Sequence, residues 1–254
     1  MMSGDALAGK TALIIGASSG IGLSTANLFT DSGAKVHAAA RRREAIQEGV
    51  GDRAVVAHAL DISDEGAVRR VVEEAGELDG LDMLVVAAGM NFPERRLSQL
   101  TPGKWDAMIS VNLSGAFYAI HAALPYLRVS RGLVILISSV SGRWPDASGP
   151  AYQASKAGMT ELAHASGFEE HQNGVRFTAV LPGIVDTPIL DNRPEPPPKE
   201  IRDNALQPED VAAACLFLAT LPPHAYVPEL TMVPTAIQAL GKTSTATPPL
   251  RSEE

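Results

Sequence analysis

A tyrosine and a lysine lie four residues apart in the stretch AYQASKAGM, residues 151–159. If this stretch is helical, Tyr152 and Lys156 lie on the same face, one turn apart. A free phenol has a pKa of about 10, and a neighbouring cation favours phenolate and lowers that pKa. The pair could therefore exchange a proton with a substrate, which is general acid–base chemistry. The same two residues would also fit a solvated helix face, so the surrounding elements must decide.

A glycine-rich turn near the start of the chain has the residues that a phosphate site needs. The stretch TALIIGASSGIG runs from an apolar segment into glycines and then into a predicted helix. Glycines permit a tight turn and a close backbone approach to a pyrophosphate, while the helix N-terminus supplies free N–H groups. An ordinary strand-to-helix turn is the alternative. The candidate dinucleotide-binding residues here are Gly16, Ser18, Ser19, Gly20, Ile21 and Gly22.

Two arginines follow the next apolar segment, where a dinucleotide's adenosine ribose would lie. NAD-binding domains place an Asp or Glu about 20 residues past the glycines, but this chain has Ala40, Arg41 and Arg42 there. Arginine suits the 2′-phosphate of NADP, so NADP is favoured over NAD. A solvated helix start is the alternative reading. Asp61, followed by Ile62, could accept a hydrogen bond from adenine or cap the next helix.

Short apolar runs alternate with stretches long enough for crossover helices. Helices are predicted over Ile21–Thr30 and Ala151–Glu170. The continuous apolar character of the runs favours strands buried on both faces of a parallel sheet. The pattern predicts one doubly wound, Rossmann-type α/β domain over residues 1–241, with about seven parallel strands, helices on both faces and a disordered tail at 242–254. The predicted strands are Thr11–Ile15, Lys35–Ala40, Ala54–Leu60, Asp82–Ala87, Gly132–Ser138, Val175–Leu181 and Glu229–Val233.

Composition argues against several classes of protein. The net charge of −8 disfavours a nucleic-acid partner, because phosphate binding needs a basic face. The N-terminal residues lack the apolar core of a signal peptide, and the longest apolar runs are too short to span a bilayer. The single cysteine, Cys215, is compatible with a reducing compartment. We therefore expect a cytoplasmic protein with no membrane partner. Glu161 and His164 lack further ligand partners, so no metal site is predicted.

Taken together, the motifs resemble those of the classical short-chain dehydrogenase/reductase family, from about Lys10 to Thr235. The family's glycine motif matches the turn described above, and its Pro-Gly motif matches LPGIVDTP at residues 181–188. The fourth strand departs from the family pattern, because Val86-Ala87-Ala88-Gly89 replaces the usual Asn-Asn-Ala-Gly. We interpret this as altered bracing of the sheet rather than lost activity. The family's catalytic tetrad matches Asn112 in SVNLSGAF, Ser139 in ISSVSG, Tyr152 and Lys156.

The resemblance implies a role for each residue of the tetrad. Tyr152 exchanges a proton with the substrate oxygen, and Ser139 holds that oxygen by a hydrogen bond. Lys156 binds the nicotinamide ribose and lowers the pKa of Tyr152, while Asn112 anchors a water in a proton relay. The cofactor supplies the hydride. The resemblance also adds cofactor-binding candidates beyond the tetrad and the first turn, namely Ala88, Gly89, Pro182, Gly183, Val185 and Thr187.

These observations predict an NADP(H)-dependent oxidoreductase that acts on a small alcohol/carbonyl pair. The C-terminal segment LPPHAYVPELTMVPT is similar to that of family members acting on short hydroxy acids and related alcohols. Two alternatives stay open: a non-catalytic NADP-binding regulator, and a lyase or epimerase built on the same site. The stretch FYAIHAALPYL, residues 117–127, is more apolar than one core-facing stripe requires, so a homodimer or homotetramer is expected.

The substrate would be enclosed by loops that follow the fourth, fifth and sixth strands. These loops offer Asn91, then Arg143 and Trp144, then the segment from Val185 onward. Trp144 would form an apolar wall, and the fork of Arg143 matches a carboxylate. The hypothesis is a small hydroxy acid or polar alcohol rather than a steroid. The alternative is that Arg143 points to solvent.

Overall fold

The computed structural model describes residues 5–237, and the predicted tail at 242–254 lies outside them. Seven parallel strands form one sheet in the order β3-β2-β1-β4-β5-β6-β7. All seven strands lie where the sequence predicts them, and no end differs by more than one residue. The doubly wound α/β fold is thereby confirmed. The strands are β1 (Thr11–Ile15), β2 (Lys35–Ala40), β3 (Val55–Ala59), β4 (Met83–Val86), β5 (Leu133–Ile137), β6 (Arg176–Pro182) and β7 (Glu229–Met232).

The helices cover both faces of this sheet, as alternate residues of β1 show. Leu13 and Ile15 belong to one buried apolar layer, whereas Ala12 and Ile14 belong to the other. Strands β1, β4 and β5 are buried along their whole length, as expected for continuous apolar runs. The α-helices are α1 (Gly20–Asp31), α2 (Arg43–Val50), α3 (Glu65–Asp79), α4 (Pro102–Ile109), α5 (Gly115–Ser130), α6 (Pro150–Glu170), α7 (Lys199–Asp203) and α8 (Pro208–Thr220).

The longest helical stretch, Pro102–Ser130, joins α4 and α5 through one π-helical turn at Ser110–Ser114. Its length of 29 residues, with a mean hydropathy of 1.4 over an 18-residue window, would suit a membrane span. We interpret it instead as a core helix, because the α5 side chains of Ile120 and Leu127 are buried against the sheet. A π-turn inserts an extra residue into the helical repeat and often occurs at functional sites. Here it carries Asn112, so the stretch positions a predicted site residue.

Candidate functional site

A cavity of about 440 Å³ opens at the carboxyl ends of the central strands. Its volume is typical of small-molecule sites. Beside it the strand order reverses, between β1 and β4, and ligands of open α/β sheets bind at such a switch point. Most of the predicted site residues line this cavity: Gly16, Ser18, Ser19, Gly20, Ile21, Gly22, Arg41, Arg42, Asp61, Ile62, Ala88, Gly89, Asn91, Ser139, Tyr152, Lys156, Pro182, Gly183, Val185 and Thr187.

The glycine turn forms a cradle that side chains would fill. Gly16 has a φ of +94°, and a Cβ there would lie 2.4 Å from the backbone nitrogen of Ala88. A Cβ on Gly22 would lie 2.3 Å from the carbonyl oxygen of Gly16. Helix α1 begins at Gly20 and includes Gly22 in its first turn, and the side chain of its N-cap residue, Ser19, makes no capping hydrogen bond. The turn and helix N-terminus therefore fit the pyrophosphate of a dinucleotide.

At the end of β2, Arg41 and Arg42 are exposed at the cavity edge. Within residues 5–237, neither guanidinium forms an ion pair with a carboxylate of the chain. Both side chains are thus placed to meet an anionic group at the adenosine end of a dinucleotide.

Asp61, also at this end of the cavity, stabilises the turn after β3. Its Oδ1 accepts hydrogen bonds from the backbone nitrogen and the hydroxyl of Ser63, at 2.9 and 2.7 Å. These bonds, with the nearby charge of Arg41, lower the pKa of Asp61 against the opposing effect of burial. Helix α3 is capped by Asp64, which accepts from Ala67. Of the two alternatives for Asp61, the capping role therefore belongs to Asp64, and Asp61 is free to face a ligand through Oδ2.

Tyr152 and Lys156 lie one turn apart near the start of α6, as their spacing predicts. The Lys156 Nζ lies 5.8 Å from the centre of the Tyr152 ring and donates to the carbonyl oxygen of Ile137 at 2.8 Å. A Cβ on Gly89 would approach that Nζ to 3.4 Å, so the glycine leaves the ammonium accessible from the cavity. Burial lowers the pKa of Lys156 to about 8.

The pKa of Tyr152 shifts in the opposite direction from the one that the sequence suggests. Burial raises it to about 12, although the nearby Ser139 hydroxyl and the charges of Arg193 and Arg95 act to lower it. Lys156, whose ammonium donates to the Ile137 carbonyl, is not among the groups that lower the pKa of Tyr152. The expectation of a phenol acidified by Lys156 is therefore wrong for the protein without ligand. In this state Tyr152 is a protonated group, ready to act as an acid.

Ser139 is fixed relative to α6 by contacts at the end of β5. Its neighbour Ser138 donates to the carbonyl oxygen of Lys156 at 2.8 Å. The Ser139 hydroxyl oxygen accepts from the backbone nitrogen of Ser141 at 3.1 Å. A Cβ on Gly142 would lie 2.8 Å from the Lys156 backbone, so a glycine permits this close packing. Strand and helix thus bring Ser139 and Tyr152 together.

Asn112 is fully buried and, unlike the other three tetrad residues, lies behind the cavity wall. Its Oδ1 accepts from the Met90 nitrogen at 2.8 Å. Its Nδ2 donates to the Met90 oxygen at 3.0 Å and to the Ser155 hydroxyl at 3.1 Å. These bonds tie the loop after β4 to α6. Val86 and Ala87, which replace the family's two asparagines at the end of β4, offer no such side-chain bonds, so Asn112 braces the loop.

The substrate prediction for Arg143 and Trp144 needs correction, because neither residue lines the cavity. The Arg143 guanidinium bonds to Glu161 at 3.2 Å and also to Glu229, on the exposed side of α6. These two carboxylates satisfy its charge away from Tyr152. Asn91 does line the cavity, and its Nδ2 donates to the Ser148 carbonyl at 3.0 Å.

Three charged residues line the cavity near Tyr152, at the part that we call its substrate end, and were not identified from the sequence: Arg95, Asp146 and Arg193. Arg95 lies four residues after Asn91 in the loop after β4, and Arg193 begins the proline-rich stretch at 193–198. Both arginines could have been proposed from the sequence, because they lie in loops expected to enclose the substrate. In the part of the chain that the structure describes, no three His, Cys, Asp or Glu side chains form a group that could hold a metal ion.

Comparison with known proteins adds to this geometry. The short chain dehydrogenase family matches residues 10–197. An uncharacterised oxidoreductase of Staphylococcus aureus strain MW2 is 33% identical over 233 residues, which are 90% of this chain and 98% of the relative.

Two solved structures show the same fold. An alcohol dehydrogenase from the archaeon Thermococcus sibiricus, complexed with 5-hydroxy-NADP, has a TM-score of 0.78 at 29% identity, covering 91% of this chain and 98% of its own. The closed form of a serine dehydrogenase complexed with NADP+ has a TM-score of 0.81 at 28% identity, covering 96% and 100%. With the family match over residues 10–197, these findings show that the chain belongs to the classical short-chain dehydrogenase/reductase family.

Proposed function

We propose that the protein is an NADP(H)-dependent oxidoreductase that transfers a hydride between nicotinamide and a small alcohol or carbonyl substrate. One observation carries the proposal: the glycine cradle and the side chains of Ser139, Tyr152 and Lys156 line the same cavity. A regulator that only bound the dinucleotide would have no use for a partly buried phenol beside a serine hydroxyl. The family match and the NADP-bound structures of similar proteins support the same class of reaction.

The residues of the chain divide the work between holding the cofactor and moving the proton. The cradle would hold the pyrophosphate, and the Lys156 ammonium would bind the nicotinamide ribose. When bound, the cofactor supplies the hydride. In carbonyl reduction, the hydroxyl of Ser139 donates a hydrogen bond to the substrate oxygen and the phenol of Tyr152 gives that oxygen a proton. The reverse transfer, from alcohol to Tyr152, requires the phenolate.

The direct test is a panel of small alcohols and carbonyl compounds, with NADPH oxidation or NADP reduction followed by absorbance and products identified. Turnover with stoichiometric use of cofactor supports the proposal. Bound cofactor without turnover of any compound would favour the regulator. A new product formed without net consumption of cofactor would favour the lyase or epimerase.

Cofactor choice is tested by the variant Arg41→Ala. Arg41 is exposed at the cavity edge without an ion-pair partner in residues 5–237, which suits a 2′-phosphate. We expect the variant to bind NADPH about 10- to 100-fold more weakly, the usual effect of losing one charge-assisted hydrogen bond, and NADH nearly as before. The matched control is Arg43→Ala, since Arg43 is exposed next to the site but does not line the cavity. Equal affinities of the unmodified protein for both cofactors would refute NADP preference.

A dimer or tetramer is proposed for the assembled protein. Phe117 on α5 is 48% exposed and Phe168 on α6 is 78% exposed. Exposed aromatic side chains are enriched at interfaces between subunits. We expect light scattering at micromolar concentration to give a mass two or four times that of one chain. A monomer under those conditions contradicts the prediction.

A further inference from the structure

Two arginines face each other at the substrate end of the cavity, on loops far apart in the chain. Arg95 follows β4 and is only 8% exposed, although it is one of the most polar side chains. Arg193 is partly buried and directly follows the short helical turn at Pro188–Asn192. Both line the cavity that also holds Tyr152.

The Arg95 guanidinium is held in place by neutral groups. Its Nε donates to the Phe92 carbonyl oxygen at 3.0 Å and its Nη2 to the Asn192 carbonyl oxygen at 2.7 Å. Its backbone lies against Gly149, which has a φ of +90°. A Cβ on Gly149 would lie only 2.2 Å from the Arg95 carbonyl oxygen, so only a glycine permits this close contact. Within residues 5–237, Nη1 has no hydrogen-bond partner and Arg95 has no ion pair. The position is fixed, but the charge is not neutralised.

Arg193 is even less engaged, since its side chain makes no hydrogen bond or ion pair with any of the described residues. The carboxylate that faces both arginines is Asp146, and serines already occupy it. Its Oδ2 accepts from the Ser141 hydroxyl at 2.5 Å and its Oδ1 from the Ser148 nitrogen at 2.8 Å. Burial, followed by the charge of Arg193, lowers the pKa of Arg95. The two cations thus repel each other in a partly desolvated space.

The charges of this corner indicate what would complete it. Arg202, whose charge also reaches Arg193, is paired with Asp186 and Asp191. The two guanidiniums and Asp146 then leave one net positive charge beside Tyr152, apart from Lys156, which is proposed to bind the cofactor. A buried cation without an anionic partner is costly, so binding an anion there is favourable. A monoanion balances the remaining charge, and the planar fork of arginine matches a carboxylate in two parallel hydrogen bonds.

We propose that Arg95 and Arg193 bind the carboxylate of the substrate, which makes the substrate a short hydroxy acid and the product the matching oxo acid. This assignment rests on the proposed oxidoreductase function. With the cofactor bound, the carbon that bears the hydroxyl would lose a hydride to oxidised nicotinamide, and the hydroxyl proton would pass to the phenolate of Tyr152. The C–O bond would become a carbonyl as the nicotinamide is reduced, and the carboxylate would stay unchanged on the arginines.

The kinetic test compares short oxo acids with their methyl esters as substrates for NADPH-dependent reduction. The unmodified protein should prefer the acid by at least tenfold in kcat/KM. Arg193→Gln should remove about 10- to 100-fold from kcat/KM for the acid, mainly through KM, and should bring the acid-to-ester ratio close to one. Arg143→Gln is the matched control and should leave the ratio unchanged, because Arg143 lies outside the cavity. An unchanged ratio in Arg193→Gln overturns the proposal.

A binding test separates this proposal from the proposed function, because it needs no turnover. Butyrate should raise the unfolding temperature of the unmodified protein, and butyramide should not, since only the anion pairs with the arginines. Arg193→Gln and Arg95→Lys should each weaken the effect of butyrate, the second less because it keeps the charge. Equal effects of butyrate and butyramide overturn the proposal, even if neutral carbonyl compounds are turned over. Selective butyrate binding without any turnover would support the carboxylate site while the oxidoreductase function failed.

Discussion

Tyr152→Phe is expected to lose at least about 10²- to 10⁴-fold in turnover, the usual contribution of a general acid–base group, while it still binds the dinucleotide. The change removes one hydroxyl and keeps the ring, so the ring packing beside Lys156 is retained. The hydroxyl that is lost is the group proposed to give its proton to the substrate oxygen. Burial keeps the Tyr152 phenol protonated, with a pKa of about 12, against the opposing effect of the nearby Ser139 hydroxyl.

The control for this variant is Tyr118→Phe, because Tyr118 is a partly buried tyrosine of α5 that does not line the cavity. It should keep nearly full activity. Dinucleotide affinity, measured by titration, should be similar in both variants. Turnover of a validated substrate by Tyr152→Phe at the unmodified rate would show that another group supplies the proton.

The two directions of the reaction should also differ in their pH dependence. Reduction needs the protonated phenol, which a pKa of about 12 maintains across the neutral range. Protonation of Tyr152 should therefore cause no change in the rate of reduction between about pH 6 and 8. Oxidation needs the phenolate, so kcat/KM for an alcohol should rise with pH over the same range. Oxidised nicotinamide adds a positive charge and moves the rise to lower pH.

The sheet could be predicted from the sequence because each strand is specified locally. Leu133–Ile137, for example, is a continuous apolar run, and the structure buries it completely between the two helical layers. The glycine turn is recognisable because its glycines, a strand and a helix follow one another in the chain, and Gly22 is required by its contact with Gly16. That Gly16 is also required by the β4 loop is a tertiary contact which the sequence does not show.

The substrate end of the site could not be predicted in this way, because tertiary contacts decide it. Arg95 bonds to the carbonyl of Asn192, which is 97 residues further along the chain. No spacing in the sequence indicates that the two loops meet. The prediction that Arg143 lines the substrate site was wrong for the same reason, because the glutamates that bind it are 18 and 86 residues away in the chain. An arginine is the right type of residue to bind a carboxylate. Only the fold shows which arginine forms no ion pair with a carboxylate among the described residues.

The pKa of Tyr152 shows a further limit. The spacing of Tyr152 and Lys156 correctly places both side chains on one face of α6. It does not indicate that the ammonium of Lys156 is directed to the carbonyl of Ile137. Nor does it reveal the desolvation of the partly buried phenol, which is the largest influence on its pKa. Proximity in a helix is a local property, whereas desolvation depends on every element around the cavity.

Gly16→Ala is expected to destabilise the fold and to abolish dinucleotide binding. The new Cβ would lie 2.4 Å from the backbone nitrogen of Ala88 and 2.7 Å from the carbonyl carbon of Ala87. Those atoms belong to the loop after β4, which Asn112 holds through Met90, so the loop cannot move aside freely. Overpacking of this kind costs about 1–3 kcal/mol, and the left-handed backbone adds about 1–2 kcal/mol for a residue other than glycine.

Gly9→Ala separates these two contributions, because Gly9 has a φ of +73° and a Cβ there would meet no atom within 4 Å. It should show only the cost of the left-handed backbone, about 1–2 kcal/mol. For a chain of this size each kcal/mol lowers the unfolding temperature by about 2–4 °C, so the expected fall is about 2–8 °C. Gly16→Ala should lose about twice as much and should no longer bind NADPH, since the displaced turn cannot approach the pyrophosphate. Thermal unfolding and cofactor titration of both variants provide the measurement. If Gly16→Ala matches Gly9→Ala in stability and still binds NADPH, the close approach of the turn to the β4 loop is not what makes the cradle.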